Sequence, residues 1–187
     1  MIDTEKLNKW SKEIYDIAVA HGWHEEKHSP EHYLGLIMTE VAEAVEADRK
    51  NRYYVNTVTV PTEKDNKHYF QYWYENHVKG TVSEEFADIV IRLLDMTTAI
   101  YGELEWHNFD NLIHAYSGVY FKQESSFVEN AWFFTHNQLN KSIYDILKSI
   151  QFVDMWAEHL NIDLDQHIEW KMKYNSLRPY KHGGKKY

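Results

Sequence analysis

The chain lacks cysteine and has little glycine or proline. With no cysteine among its 187 residues, disulfide scaffolds, cysteine-ligated zinc sites, iron–sulfur clusters and cysteine nucleophiles are excluded. Seven glycines and three prolines supply few tight turns, which favours long helices over a sandwich of many strands. No apolar run reaches about 18 residues, and the polar N-terminus does not have the pattern of a signal peptide. We therefore expect a cytoplasmic protein with no membrane span.

Composition and charge point to a folded protein with an acidic body and a basic C-terminal end. Hydrophobic residues make up 43% of the chain and aromatic residues 16%, which suffices for a real core, and the length predicts one domain over residues 1–187. The net charge is −9, yet residues 171–187 hold six basic residues and no acid. This balance argues against binding of duplex nucleic acid. It permits a small anionic ligand held between cations and an acid-bound metal.

Apolar periodicity predicts an all-α fold with two irregular regions. Helical spacing, with Ser29 and Ser83 as N-caps, predicts helices over 4–21, 31–50, 84–101, 127–138, 140–160 and from Asp163 or Asp165 to about Asn175. Residues 103–126 give no clear pattern. Residues 51–81 are rich in β-branched and aromatic side chains, so a β-hairpin or another ordered excursion is expected there.

Two pairs of acidic residues stand three positions apart on predicted helices. Glu40 and Glu43 form an E-x-x-E motif, and Glu85 and Asp88 form an E-x-x-D motif. Residues three apart lie on one face of a helix, with Cβ atoms roughly 5–6 Å apart, so each motif presents two carboxylates together. Two such helices side by side would form a nest of four carboxylates. Their mutual repulsion calls for a cation, and hard oxygen ligands suit Mg²⁺ or Mn²⁺.

The surroundings of these acids favour a site, although a simpler interpretation stays open. On the helix over 84–101, apolar residues cover more than half of the circumference, and the two acids share one narrow polar stripe with Arg92 and Asp95. Acids on a largely buried helix are unfavourable unless they are paired or bound to metal. The alternative is a solvated acidic face on which Arg92 pairs with Asp88 or Asp95 along the helix.

A different metal motif occurs nearby. His24, Glu25 and His28 match the H-E-x-x-H pattern of zinc metalloproteases. That chemistry needs both histidines on one turn in the middle of a stable helix. Gly22 precedes the motif and Pro30 follows it closely, so we expect a polar loop between two helices. A zinc hydrolase on His24 and His28 remains the less favoured alternative.

The C-terminal region forms a dense cluster of cations. Lys171, Asn175 and Arg178 recur at helical spacing and can share one face. Lysine and arginine at such positions neutralise phosphate oxygens, and asparagine offers both a donor and an acceptor. The alternative is a helix C-terminus stabilised by basic residues and followed by a solvated tail.

Taken in order, these motifs resemble a known family. They are His21-Gly22-Trp23, Glu40-x-x-Glu43-Ala44, Glu85-x-x-Asp88-Ile89-x-Ile91-Arg92-x-x-Asp95 and Lys171-Met172-x-Tyr174-Asn175-x-x-Arg178-Pro179-x-x-His182-Gly183. The pattern is similar to that of the MazG-like, all-α nucleoside triphosphate pyrophosphohydrolases. The matching regions are 15–50, 83–102 and 154–185.

The resemblance implies a MazG-like helix bundle that assembles as a homodimer or homotetramer. It implies Mg²⁺, or Mn²⁺ in its place, bound by Glu40, Glu43, Glu85 and Asp88. Substrate phosphates would face Lys171, Asn175 and Arg178, with Arg92, Asp95 and Tyr174 as secondary site residues. The implied reaction is hydrolysis of a nucleoside or deoxynucleoside triphosphate to the monophosphate and pyrophosphate. Metal-activated water would attack, with Glu40 or Glu43 as the catalytic carboxylate that orients or deprotonates it.

The chain departs from that pattern at two places. Residues of about 51–81 and about 103–150 form insertions that compact relatives lack. Such insertions can cover the site, change the base pocket or replace an oligomer contact. A non-catalytic nucleotide or metal sensor on the same fold therefore remains an alternative to the enzyme.

Overall fold

The computed structural model describes residues 3–56, 59–62, 66–109, 121–184 and 186. Across these residues the fold is all-α, as the sequence predicts, and contains no strand. Seven longer helices occur in the described ranges: α1 (Thr4–Ala20), α2 (Pro30–Arg49), α3 (Lys67–His77), α4 (Val82–Tyr101), α5 (Phe127–Phe133), α6 (Ile143–His159) and α7 (Leu164–Ser176). A 3₁₀ turn at Trp106–Phe109, a π-helical turn at Phe134–Gln138 and a short turn at Lys181–Gly184 complete them. None of the helices described here is long and apolar enough to cross a bilayer.

Helix α4 forms the centre of the fold. It contacts α1, α2, α6 and α7. Phe86, Val90, Leu93 and Leu94 on this helix are all fully buried. Each such side chain contributes about 1.5–3 kcal/mol relative to an exposed one. Because α4 is enclosed on most sides, the polar side chains on its remaining stripe need partners within the protein.

The two acid-bearing helices begin at capping residues that fix where the acids lie. Helix α2 starts as predicted, with the Ser29 side chain accepting from the His32 N–H and Pro30 as the first helical residue. The cap of α4 is Thr81, whose hydroxyl accepts from the Glu84 N–H, and not the predicted Ser83, which is buried within the first turn. The helix therefore begins two residues earlier than predicted, and Glu84 is its third residue.

The expected β-hairpin in the first insertion is wrong where the structure describes the segment. Residues 67–77 form α3, with Asn66 as its N-cap. Phe70, Trp73 and Tyr74 follow helical spacing and are all buried. Burial of one aromatic face therefore decides the local structure against the strand propensity of these side chains.

Parts of both predicted insertions lie outside the described residues, namely 57–58, 63–65 and 110–120. In the second of these predicted insertions, α5 begins at a capping box formed by Ser126 and Glu129. The helices predicted over 127–138 and 140–160 are confirmed, with a π-helical turn at the end of the first.

Candidate active site

Carboxylates from α2 and α4 meet at one place between the two helices. Glu40 and Glu43 lie on α2, and Glu85 lies in the first turn of α4. One oxygen from each of these three carboxylates lies within 4.8 Å of the other two. Glu40 and Glu85 are buried, whereas Glu43 is exposed. Three of the four predicted metal ligands therefore converge, and we call them the acid trio.

The acid trio lies in the wall of a cavity of about 780 Å³. This volume falls within the range of small-molecule sites. Every other predicted site residue except Tyr174 also lines the cavity: Asp88, Arg92, Asp95, Lys171, Asn175 and Arg178. Further cations and aromatic rings complete the wall: Lys181, Lys186, Trp23, His28, His32 and Tyr33. The structure thus brings acids, cations and rings that are far apart in sequence into one cavity.

The fourth predicted ligand, Asp88, belongs to a buried ion cluster. The Lys171 ammonium lies 2.6 Å from an Asp88 oxygen and 2.6 Å from a Glu84 oxygen. Burial alone would lower the pKa of Lys171, but the two carboxylates outweigh it and raise the pKa above its ordinary value. We call these three residues the ion triad. Within it, Lys171 lies on the cavity wall as a counter-ion of Asp88 and Glu84.

The other charges on the polar stripe of α4 pair across helices. Arg92 donates from Nε to Glu40 of α2. Asp95 lies 2.7 Å from Nε2 of His24, and Nδ1 of the same ring is 3.4 Å from the Tyr33 hydroxyl. The ion pairs along α4 that the sequence left open, between Arg92 and Asp88 or Asp95, do not occur among the described ion pairs.

The H-E-x-x-H segment lies in the loop between α1 and α2, as its flanking residues predict. His24 is engaged by Asp95, whereas the His28 ring stacks on His32 at a centroid distance of 4.0 Å. In the described part of the chain, neither histidine belongs to a group of three or more side chains placed to share a metal ion. The helical turn that zinc protease chemistry needs is absent from residues 24–28.

The phosphate-binding candidates lie at the end of α7 and just beyond it. Asn175 is half-buried, and no described group donates to its Oδ1. The Arg178 guanidinium lies 5.7 Å from the ring centre of Tyr174. Tyr174 itself donates its hydroxyl to Glu75 of α3 and packs away from the cavity, so it supports α7 and does not line the site.

The motif His21-Gly22-Trp23 meets the C-terminal motif in space. His21 contacts the Arg178 carbonyl through Nε2 at 2.9 Å, and the Trp23 ring lies edge-on to His182. Gly22 has φ +80°, and a Cβ there would lie 2.4 Å from the Tyr180 ring. Only glycine fits this close approach. The contact fixes the segment after α7, which carries Arg178 to the cavity.

The charges around the acid trio do not balance within the described residues. Five carboxylates lie on this part of the cavity wall, those of Glu40, Glu43, Glu84, Glu85 and Asp88. Among the described ion pairs, Arg92 pairs with Glu40, and Lys171 pairs with Glu84 and Asp88, so that Glu43 and Glu85 are without a paired cation. Burial, together with Asp88 and Glu84, raises the pKa of Glu85 to about 9. A hard divalent cation would relieve this repulsion, and an all-carboxylate donor set suits Mg²⁺ or Mn²⁺.

Sequence reasoning missed two functional features of the site. Glu84 is buried in the ion triad, although its position beside Glu85 predicted only a residue at a helix start. The spacing of Glu84 and Asp88, four residues apart on a largely buried helix, was the available signal. The contact between His24 and Asp95 could not be predicted from a local sequence pattern, because 71 positions separate the two residues.

Comparison of the chain with protein-family models, with curated proteins and with solved structures finds no match.

Proposed function

We propose that the protein is a Mg²⁺-dependent nucleoside triphosphate pyrophosphohydrolase. It would hydrolyse a ribo- or deoxyribonucleoside triphosphate between the α and β phosphates to give the monophosphate and pyrophosphate. The observation that supports this most is the acid trio within one cavity that also contains Asn175 and Arg178. Acids at one part of the wall and cations at another fit a polyphosphate with its metal.

Glu40, Glu43 and Glu85 would hold the divalent cation, with Asp88 beside them. Mg²⁺ or Mn²⁺ held there would polarise phosphate oxygens and lower the pKa of water. Among these carboxylates, Glu40 is paired with Arg92 and Asp88 with Lys171. Glu43 and Glu85 form no ion pair within the described residues, and of these two only Glu43 is exposed where it lines the cavity. We therefore assign Glu43 as the carboxylate that orients the attacking water.

The cations of the C-terminal region would bind the departing pyrophosphate. Arg178 can hold two phosphate oxygens at once through its planar guanidinium, and the Asn175 amide can donate to a third. Their charge offsets the charge that develops on the leaving group. Following the resemblance, we also propose that the enzyme acts in the cytoplasm as a homodimer or homotetramer.

The test is pyrophosphate release from a panel of NTPs and dNTPs with Mg²⁺, Mn²⁺ or EDTA. Glu43→Gln should lower kcat by at least about 100-fold, because the group that orients water is lost. Glu46→Gln is the matched control: Glu46 lies one turn further on α2, where it is partly exposed and pairs with Lys50 and Arg49. This control should keep wild-type kcat.

Two results would contradict the proposal. Metal-dependent release that survives in Glu43→Gln would remove that residue from the reaction. Absence of release from every nucleotide by the folded wild type would favour the sensor, for which Mg²⁺-dependent nucleotide binding without turnover is the expected behaviour.

A further inference from the structure

Helix α3, which lies in the first insertion, packs directly on the helix that carries the cations. Phe70, Trp73 and Tyr74 of α3 form one buried cluster with Tyr174 of α7. The rings of Tyr74 and Tyr174 stack at a centroid distance of 4.4 Å with an interplanar angle of 13°. At the end of α7, Gln71 donates its amide to the Leu177 carbonyl at 3.1 Å. Helix α3 is therefore fixed against α7 over several turns.

A hydrogen-bonded chain leads from this helix to the acids of the site. The Tyr74 hydroxyl donates to Glu84 at 3.2 Å, and the Gly80 N–H donates to the same carboxylate. The third interaction of that carboxylate is with Lys171, whose ammonium also contacts Asp88. Tyr74 is fully buried and Glu84 is nearly so, which leaves this carboxylate little freedom to move.

We propose that α3 is a positioning element of the active site and that Tyr74 is its positioning residue. Tyr74 fixes Glu84, Glu84 fixes the Lys171 ammonium, and Lys171 orients Asp88 beside the acid trio. The proposal assigns a role to an insertion that the resemblance leaves without one, and it depends on the proposed function for its effect on catalysis. Tyr74 acts through its hydroxyl, while its ring serves packing.

The position of Lys171 depends on both of its carboxylate partners. An ammonium held between two carboxylates at 2.6 Å has a defined place, whereas a lysine with one carboxylate can rotate about its long side chain. Loss of the Tyr74 hydroxyl would leave Glu84 with the Gly80 N–H and Lys171 as its donors and remove its link to α3, so that the carboxylate can shift. A displacement of about 1 Å in a reacting site can lower the rate by as much as about 100-fold.

The test is Tyr74→Phe, which removes the hydroxyl and keeps the ring that stacks on Tyr174. We expect kcat for pyrophosphate release to fall by about tenfold, with little change in KM or in the melting temperature. Tyr72→Phe is the matched control, because Tyr72 lies on the same helix and is 64% exposed. It should leave kcat, KM and the melting temperature unchanged.

A second readout does not depend on activity. NMR of lysine ammonium groups labelled with ¹⁵N reports Lys171 directly, with Lys171→Arg identifying its signal. Tyr74→Phe should shift this signal or broaden it, and Tyr72→Phe should not. If wild type released no pyrophosphate, the proposed function would fail, and this signal alone would decide whether Tyr74 positions Lys171.

Two outcomes overturn the positioning role. The first is a Tyr74→Phe variant with wild-type kcat and an unchanged Lys171 signal. The second is a parallel loss of kcat and melting temperature with an unchanged Lys171 signal, since it would show that the hydroxyl serves only the packing of α3.

Discussion

Lys171 and His167 lie one turn apart on α7, are both buried, and have opposite ionisation behaviour. Lys171 contacts two carboxylates, and its pKa is raised above the ordinary value of a lysine. His167 lies among the rings of Tyr54 and Trp170, and no described group pairs with its Nδ1. Burial lowers its pKa to about 4. Burial thus favours the neutral form of both, and only a charged partner keeps a buried base charged.

The two residues mark two different regions of the interior, one on the cavity side of α7 and one on the side towards α3. On the cavity side of α7, Lys171 keeps its charge because it pairs with Glu84 and Asp88. Towards α3, His167 lies among aromatic rings and is neutral at neutral pH. The same helix therefore carries a charged lysine on the cavity wall and a neutral histidine one turn away.

The largest effect should follow from removal of the cation of the ion triad. Lys171→Met leaves Glu84 and Asp88 buried without a counter-charge, so the free energy of unfolding should fall by roughly 3–5 kcal/mol. Chemical denaturation at neutral pH measures the change. Lys173→Met on the same helix is the control, because its ammonium lies over the Phe70 ring and its loss should cost less than about 1 kcal/mol. An equal loss in both variants would remove the distinction between Lys171 and any other lysine of α7.

The next effect concerns His167 and depends on pH. The unfolded chain binds a proton at His167 below its ordinary pKa of 6.5, whereas the folded chain does so only near pH 4. Between these values the unfolded state holds more protons, so stability is complete above pH 6.5 and falls as the pH is lowered. The loss can reach about 3 kcal/mol near pH 4.

Urea unfolding at several pH values measures this dependence. His167→Phe should flatten it, because a ring of similar shape without a titratable group fills the cluster. His107→Gln, at an exposed position, should leave the dependence unchanged. If wild type and His167→Phe lost stability at the same rate with falling pH, His167 would not be the neutral buried base that the comparison requires.

The sequence predicts those features of the fold and of the site that depend on local pattern. Ser29, the E-x-x-E spacing of Glu40 and the stripe on α4 are all local features, and the helices and the convergence of the acid trio agree with them. The partner of Lys171 lies 87 positions away in Glu84, and no local pattern encodes such a pairing. Helix α3 was missed for a different reason. Its aromatic side chains have high strand propensity, and only burial against α7 favours the helix.

The acid trio offers the same test for buried acids that Lys171 and His167 offer for buried bases, since it contains buried carboxylates with too few cations. If these carboxylates lack a charged partner, a divalent cation should stabilise the folded chain. The gain is RT ln(1 + [L]/Kd), where [L] is the concentration of the free cation, and it is about 2.7 kcal/mol at 100 times Kd. Melting curves with Mg²⁺ or Mn²⁺ against EDTA measure the gain. Glu43→Gln should reduce it and Glu46→Gln should not, because Glu46 already pairs with Lys50 at the surface. An equal gain in both variants would show that the cation binds elsewhere, and the unmatched charge of the trio would then be balanced by protons on residues such as Glu85, whose pKa is about 9.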